Sequence, residues 1–333
     1  MKIERLLVEW YSKNKRDLPF RLNQDPYRVW ISEMMAQQTQ IETLLPYYTR
    51  WMKTFPTLEA CARAQETDIL QAWAGLGYYS RARNIHKTAQ IIYHDYHGQF
   101  PNSAQQLQKL PGIGPYSAAA IASICFQENV AAIDGNVKRV LSRLFLWDET
   151  LLKRSFETNL RNIISQWMHT ENPSDVTQAI MELGALVCTK QARCQICPLM
   201  NHCEAYKTSQ VQNYPKVITK KAKSTESIEV VYLMHTDQTI AFTNQNSDKL
   251  MQGYYRLPTR SQITVEMNEL KFINQSQHVF SHKIWNLKFY MASCTKKDAS
   301  LVWIRKDQIN ELPIITAHLK WLNEKALHLQ LSL

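Results

Sequence analysis

A glutamate set among apolar neighbours is the first sign of chemistry in this chain. Residues 30–40 read WISEMMAQQTQ, so Glu33 is surrounded by Trp30, Ile31, Met34, Met35 and Ala36. On a helix its face neighbours are Val29, Trp30, Ala36 and Gln37. Taking a carboxylate out of water penalises its charged form. The pKa of Glu33 is therefore expected to rise, which suits a general acid working near neutral pH. A second carboxylate, Asp134, opens DGNVKRVLSR, where Val137, Val140, Leu141 and the following Leu144 form one apolar face. That spacing puts Asp134 just ahead of a helix N-terminus, whose dipole and free N–H groups are expected to lower its pKa. Two carboxylates driven in opposite directions point to an acid paired with an electrostatic stabiliser. The plainer readings are a hydrogen-bonded structural glutamate and a simple N-cap.

Four of the seven cysteines, Cys188, Cys194, Cys197 and Cys203, follow the pattern C-x5-C-x2-C-x5-C. Four thiolates this close can hold one compact metal centre, and a four-iron cluster and a structural zinc both fit. Zinc ribbons pair two C-x2-C knuckles and only one is present, which favours iron–sulfur. The expected role is structural, or to shape a DNA-facing loop. Residues 110–116 read LPGIGPY between two helical segments. Gly112 and Gly114 permit close backbone approach, and Pro115 can start the next helix. This is the pattern of a helix-hairpin-helix, which grips a DNA phosphate through backbone N–H groups without reading sequence. The plainer reading is an ordinary turn.

These residues need a scaffold, and the chain supplies two kinds. It has 333 residues, 45% of them hydrophobic, enough for two domains. Residues 1–206 read as helices. Ile3, Leu6, Leu7, Trp10 and Tyr11 recur at helical spacing, and Asp25-Pro26 reads as a cap and first turn for a helix running to about Gln40. Further helices are expected at Glu66–Trp73, Ser80–Tyr96, Ala104–Lys109, Tyr116–Phe126, Asn136–Phe145, Lys153–Met168 and Ser174–Val187. Residues 207–227 are polar and basic and read as a linker. From 228 to 333 short strands take over, at Ile228–His235, Thr239–Thr243, His278–Phe280, Lys288–Ala292 and Leu301–Ile304, with a last helix at Thr316–His328. The fold class is thus mainly α, followed by a smaller α+β domain.

The net charge of +10 fits a polyanionic partner, nucleic acid first. The opening MKIERLLVEWYSK carries charges inside its apolar pattern, unlike a secretory signal, and the apolar stretch within Ala118–Phe126 is too short to span a bilayer. No membrane association is expected, and the default location is cytoplasmic, with the nucleoid if the source is bacterial. An odd cysteine count also argues against a disulfide framework.

WISEMMAQQTQ, GLGYYSRARN, LPGIGPYSAAAIAS, DGNVKRVLSR and ELGALVC with the three further cysteines occur in an order that resembles adenine DNA glycosylases of the MutY type, in the helix-hairpin-helix superfamily. The resemblance covers the helical region throughout. It continues more weakly into the C-terminal domain, through Gly253–Pro258 and Phe280-Ser281-His282, which resembles a Nudix fold. It implies a monomeric enzyme that extrudes and excises adenine from double-stranded DNA, opposite 8-oxoguanine or in a G·A mismatch. It implies that Glu33 is the general acid, that Asp134 stabilises the oxocarbenium-like sugar, and that Tyr116 and Asn136 support them. Cys188, Cys194, Cys197 and Cys203 would hold a [4Fe–4S] cluster. Gln38 and Thr39 would wedge into the duplex, Tyr78 would stack beside the lesion, and Arg21 and Gln178 would form the adenine pocket. Gly112 and Gly114 would meet the phosphate, and Ser281 and His282 the 8-oxoguanine. Tyr116 stands where related bifunctional enzymes carry a Schiff-base lysine, which implies a monofunctional glycosylase.

Four features depart from that family: a first cysteine gap of x5 where x6 is common, Ala36 for leucine, Phe20 for tryptophan, and Gly253–Pro258 for a Gly-Leu-Trp-Glu-Phe-Pro-like segment. None removes a catalytic group. The segment after Pro258, TRSQITVEMNELKF, lacks the metal-binding glutamates of a Nudix hydrolase, so this domain is expected to bind rather than hydrolyse. The competing readings are a relative acting on another mismatch or a pyrimidine lesion, a non-catalytic protein that marks lesions, and a free-standing Nudix hydrolase.

Overall fold

Asp25 and Pro26 begin a helix as their chemistry requires. The Asp25 carboxylate accepts from the amides of Tyr27 and Arg28 at 2.8 and 3.2 Å, and Pro26 stands in the first turn. The structure is a computed structural model that describes residues 2–37, 39–148, 150, 155–216, 223–245, 253–280 and 283–322. These group into two units, Met1–Gln65 with Arg83–Thr219, and Glu66–Ala82 with Lys220–Leu333. Glu66–Ala82 thus falls with the second unit, and the first runs on to Thr219, within the stretch expected to be linker.

The helices are α1 (Ile3–Asn14), α2 (Pro26–Ala36), α3 (Ile41–Thr54), α4 (Leu58–Arg63), α5 (Glu66–Trp73), α6 (Ser80–Asp95), α7 (Ala104–Leu107), α8 (Pro115–Phe126), α9 (Gly135–Phe145), α10 (Phe156–Thr170), α11 (Pro173–Leu186), α12 (Glu204–Lys207) and α13 (Thr316–Trp321). At the centre of the first unit lies α8, buried continuously from Ser117 to Ile124. A helix apolar all round belongs in a core, and its Ser-Ala-Ala-Ala run is small enough to let α2 and α11 pack closely on it. A second part of that core joins Leu7 and Tyr11 of α1 with Val137, Val140, Leu141 and Leu144 of α9, Phe156, Leu160 and Ile164 of α10, and Ile180 and Leu183 of α11. Cys188, Cys197 and Cys203 pack on its edge.

Several expectations are adjusted here. Expected to reach Gln40, α2 stops at Ala36, because Gln37 turns out of the helical region (φ −57°, ψ 106°). A new helix, α3, follows, with Leu44, Tyr48 and Trp51 buried at helical spacing. Pro46 inside it hides that pattern from a reading that treats proline as a breaker. The short α4 also escaped. The expected start of α10 at Lys153, and the last residues of the terminal helix, lie outside the described residues.

The second unit contains a five-stranded sheet of order β3-β4-β1-β2-β5, made of β1 (Ser224–His235), β2 (Thr239–Phe242), β3 (Lys271–Val279), β4 (Lys283–Cys294) and β5 (Val302–Arg305). Among these strands β1 and β4 pair in parallel and the other neighbours pair antiparallel. The first strand begins at Ser224, inside the stretch read as linker. An edge strand exposed along most of its length, β3 carries little apolar alternation, and only its end was expected. One face of the sheet buries Val231, Leu233, Ala241, Ala292 and Cys294. On the other, Phe289 stacks on Trp321 of α13 at 4.6 Å. Within this unit Tyr79 packs on Tyr254, ring centroids 4.1 Å apart. No helix among the described residues is long and apolar enough to cross a membrane.

Candidate active site

Because α2 buries Val29, Trp30, Ile31, Met34 and Met35 on either side of Glu33, the carboxylate emerges half-buried. It lines a cleft of about 890 Å³ in the first unit, within the ~300–1,000 Å³ range of ligand pockets. The same cleft is lined by Arg21, Thr39, Tyr116, Asp134 and Asn136, all expected, and by Arg16, Phe20, Ala36 and Glu182. Tyr116 stands in the first turn of α8, held there by the Gly114–Pro115 start. Its hydroxyl donates to Met181 Sδ at 3.9 Å and lines the cleft with the Glu33 carboxyl, whose charged form it favours. Burial raises Glu33 to about 7, and the charge of Asp134 adds to this, while the Tyr116 hydroxyl and the charge of Arg21 pull it back. Glu33 therefore carries an available proton near neutral pH, as its apolar setting predicted. Burial, followed by the charges of Glu33 and Asp134, drives the Tyr116 hydroxyl well above its ordinary value, so it stays protonated.

Asp134 is the N-cap of α9, its Oδ1 accepting from the Val137 amide at 2.7 Å and its Oδ2 from the Asn136 side-chain amide at 2.9 Å. Its pKa was expected to fall and instead rises. Burial is the largest influence and outweighs the donors from Val137 and Asn136 and the charge of Arg139. The two carboxyls are thus pushed the same way; what distinguishes them is their partners. Asp134 sits in a ring of donors, whereas Glu33 has the Tyr116 hydroxyl and an apolar surround.

Sequence reasoning missed Glu182 and Arg16. The Glu182 side chain is 1% exposed. Its Oε1 accepts from the Arg16 backbone amide and Nε at 2.9 and 2.8 Å, and its Oε2 from Arg16 Nη2 and Arg21 Nη2 at 2.9 and 2.8 Å. Burial alone would raise its pKa; the hydrogen bonds from Arg16 and Arg21 overcome this and hold it near about 2. The signal that singled out Glu33, a carboxylate within an apolar run, is also present in MELGAL around Glu182. Gln178, one turn earlier on α11, does not line the cleft, and its amide donates to Ser174 Oγ at 3.0 Å.

The hairpin residues lie as expected between α7 and α8, with Gly112 and Gly114 exposed. Gly112 has φ +77°, and a Cβ there would meet Asn84 at 2.6 Å. Thr88 Oγ1 donates to the Pro111 carbonyl at 2.8 Å, pinning the turn to α6. Tyr78 belongs to the second unit, 47% exposed with φ +48° and with the Arg81 guanidinium 5.1 Å from its ring. Gln38, Ser281 and His282 lie outside the described residues.

Cys188, Cys194, Cys197 and Cys203 all line one small apolar cavity of about 30 Å³. Arg143 Nη1 lies 3.5 Å from Cys188 Sγ and donates to the Thr189 carbonyl at 2.6 Å, while Arg139 Nε donates to the Cys188 carbonyl at 2.8 Å. Burial pushes the Cys197 thiol up to about 12 and raises those of Cys194 and Cys203. Among the described residues no three His, Cys, Asp or Glu side chains are arranged to hold a single metal ion. Four thiols lining a shared space, with Arg143 beside Cys188, are the groups that a metal centre would use there.

Residues 31–183 match the model of the HhH-GPD superfamily of base excision DNA repair proteins. Adenine DNA glycosylase of Mus musculus is 42% identical over 214 residues, 61% of this chain and 42% of that protein. Adenine DNA glycosylase of Buchnera aphidicola subsp. Schizaphis graminum is 33% identical over 307 residues, 92% of this chain and 78% of that protein. The chain therefore spans less than half of the mouse relative but most of the bacterial one. Among solved structures, a thermostable thymine-DNA glycosylase superposes with a TM-score of 0.55 at 22% identity, covering 62% of this chain and 95% of that one. That likeness concerns the fold alone.

Proposed function

The chain belongs to the adenine DNA glycosylase family, and from the cleft geometry we propose that it excises adenine mispaired with 8-oxoguanine, or with guanine, from double-stranded DNA as a monofunctional glycosylase. The observation that carries this reading is the meeting of Glu33, Tyr116 and Asp134 in one cleft, with the Glu33 proton available near pH 7.

An adenine extruded from the stack would enter the cleft with N7 toward Glu33. Adenine leaves poorly as an anion, so Glu33 gives it a proton as the N-glycosidic bond breaks. The sugar then acquires oxocarbenium character. Asp134 faces it as an anion whose oxygens are already fixed by Val137 and Asn136; such preorganised charge is worth about 3–4 kcal/mol. Tyr116 lines the cleft with Glu33 and cannot form an imine, so no strand cleavage accompanies base release. Water then attacks the sugar, its proton passes to the Glu33 carboxylate, and an abasic site is left.

Cys188, Cys194, Cys197 and Cys203 would hold a [4Fe–4S] cluster, with structural zinc as the alternative. Ligand number, spacing and the shared cavity support a metal centre, and the single C-x2-C pair favours the cluster over zinc. When bound, it would cross-link the loop that Arg139 and Arg143 join to α9. The C-terminal α+β region is read as a Nudix-like module that recognises the 8-oxoguanine through Ser281 and His282. In support of binding without hydrolysis, residues 259–270 form a short 3-10 turn at Arg260–Gln262 and no α-helix to carry metal-binding glutamates.

The test is single-turnover base release from duplexes carrying adenine opposite 8-oxoguanine, G or T, with Glu33→Gln in parallel. Release from the lesion duplex that is lost in the variant supports substrate and acid together. Tight binding without release would make the protein a non-catalytic lesion marker.

A further inference from the structure

Besides its acids, the cleft holds one sulfur. Met181 of α11 lines it together with Glu33, Tyr116 and Asp134, and among the described residues no other methionine or cysteine does so. Two methionines follow Glu33 on α2, yet Met34 and Met35 are closed off at 1% and 0% exposure. Met181 is half-buried. Its place follows from α11, which buries Ala179, Ile180 and Leu183 in the core and turns Met181 and Ala185 to the cleft.

The one hydrogen-bond partner of that sulfur is the Tyr116 hydroxyl, which donates to Met181 Sδ at 3.9 Å. A thioether is a weak acceptor, so the phenol is held loosely. The steps proposed above make no use of this contact. A thioether is also open to peroxide as it stands, whereas a thiol must first become a thiolate. The cleft therefore carries an oxidisable atom in contact with one of its own polar groups.

We propose that Met181 is a reversible oxidation site, through which a small hydroperoxide, hydrogen peroxide foremost, shuts the cleft down. A sulfur lone pair attacks one peroxide oxygen. The S–O bond forms, the O–O bond breaks, and the departing oxygen takes the proton of the transferred one and leaves as water. Sulfur is oxidised by two electrons and the peroxide is reduced by two. A polar sulfoxide now stands where an apolar thioether stood. Its oxygen, on the tyrosine side, lies between the two atoms and offers the Tyr116 hydroxyl a strong acceptor at about 2.7 Å. The phenol is then tied to α11, and the wall that an extruded adenine would meet has gained an oxygen. The loss of adenine release rests on the glycosylase reading; the oxidation and the capture of Tyr116 do not.

The test treats the full chain with hydrogen peroxide in the absence of DNA. Sulfoxides are mapped by peptide mass spectrometry beside single-turnover adenine release, each protein being compared with its own untreated sample. Release should fall about tenfold when Met181 is fully oxidised, in step with the fraction of Met181 sulfoxide. The A and B methionine sulfoxide reductases should restore it and dithiothreitol alone should not; neither treatment repairs a lost cluster or a sulfinic acid. Met181→Leu has nothing to oxidise at this position and should lose less than about twofold under the same treatment. In protein labelled with 3-fluorotyrosine, the Tyr116 resonance, assigned with Tyr116→Phe, should move on oxidation of wild type and stay in Met181→Leu. The proposal is overturned if Met181 stays reduced while other methionines oxidise, or if release is unchanged with Met181 oxidised. A loss that strikes Met181→Leu equally, or that resists the reductases, also overturns it. If Met181→Leu does not fold, the reductase arm and the Tyr116 resonance decide. An untreated wild type that releases no adenine would fail the glycosylase reading; a Tyr116 resonance that still moves with Met181 oxidation would leave the inference standing, and an unmoved one would sink it too.

Discussion

Gly184 meets Asn136 so closely that a Cβ on the glycine would lie 2.7 Å from the Asn136 Cβ. Helices α9 and α11 therefore touch at a residue without a side chain. Asn136 in turn donates to Asp134 Oδ2 at 2.9 Å, and the Gly184 carbonyl accepts from Arg139 at 2.9 Å. Gly184→Ala is expected to push Asn136 aside and misplace Asp134. Single-turnover adenine release should fall by about ten- to a hundredfold, since displacements near 1 Å at a reacting centre cost that much. Affinity for the lesion duplex should change little, because neither residue belongs to the hairpin. An unchanged release rate would show that the α9 start tolerates the shift.

Glu33 carries a stability cost that its proposed role as general acid would require. Its pKa is raised to about 7 in the folded chain, above its value of about 4.3 when unfolded. The folded state then holds the proton more tightly. Stability tied to this group is fully present below pH 4 and is lost as pH rises through 7. Glu33→Gln removes the ionisation and keeps a side chain of nearly the same shape and polarity. The variant should be more stable than wild type at pH 8, by on the order of 1–3 kcal/mol, and equal to it at pH 4. Denaturant unfolding of both proteins at the two pH values checks this; a variant less stable at pH 8 would mean that Glu33 is held ionised by its partners.

Much of this site was legible because local signals carried it. A carboxylate in an apolar run, an Asp one step before an amphipathic helix, and a Gly-x-Gly-Pro turn each specify their own surroundings. What was not legible depends on distant partners. The direction of the Asp134 shift turns on how deeply α9 is buried, which its own sequence does not state. Glu182 finds its partners 166 and 161 positions away, in Arg16 and Arg21. In the fold, the helices with clean stripes were found, and α3 was lost to Pro46. The edge strand β3 was mostly missed because it buries almost nothing, so selection for a core leaves no period in it.

The hairpin offers a test of DNA grip apart from catalysis. Gly112 has φ +77°, a conformation that strains any residue with a Cβ, and that Cβ would strike Asn84 at 2.6 Å. Gly112→Ala should distort the turn that Thr88 holds to α6. Because phosphate contacts carry no sequence information, affinity should drop by a similar factor, about tenfold, for undamaged and lesion duplexes alike. A loss confined to the lesion duplex would place the hairpin in base recognition instead.

The cysteine loop separates its two metal readings by stoichiometry. A [4Fe–4S] centre predicts iron and acid-labile sulfide in equal amounts, about four of each per chain, in protein isolated without oxygen. Zinc predicts one metal ion and no sulfide. Cys197 is the informative position, because burial holds its thiol at about 12 and only a cation beside it would draw out the thiolate. With a cluster present, Cys197→Ser should lose iron and sulfide together and unfold the loop that Arg139 and Arg143 bind through the carbonyls of Cys188 and Thr189. Since Arg139 also holds Asn136 at 2.8 Å, the variant should then lose adenine release even where it still binds DNA. A variant that keeps full activity and thermal stability, in a wild-type protein free of metal, would reduce the four cysteines to packing residues.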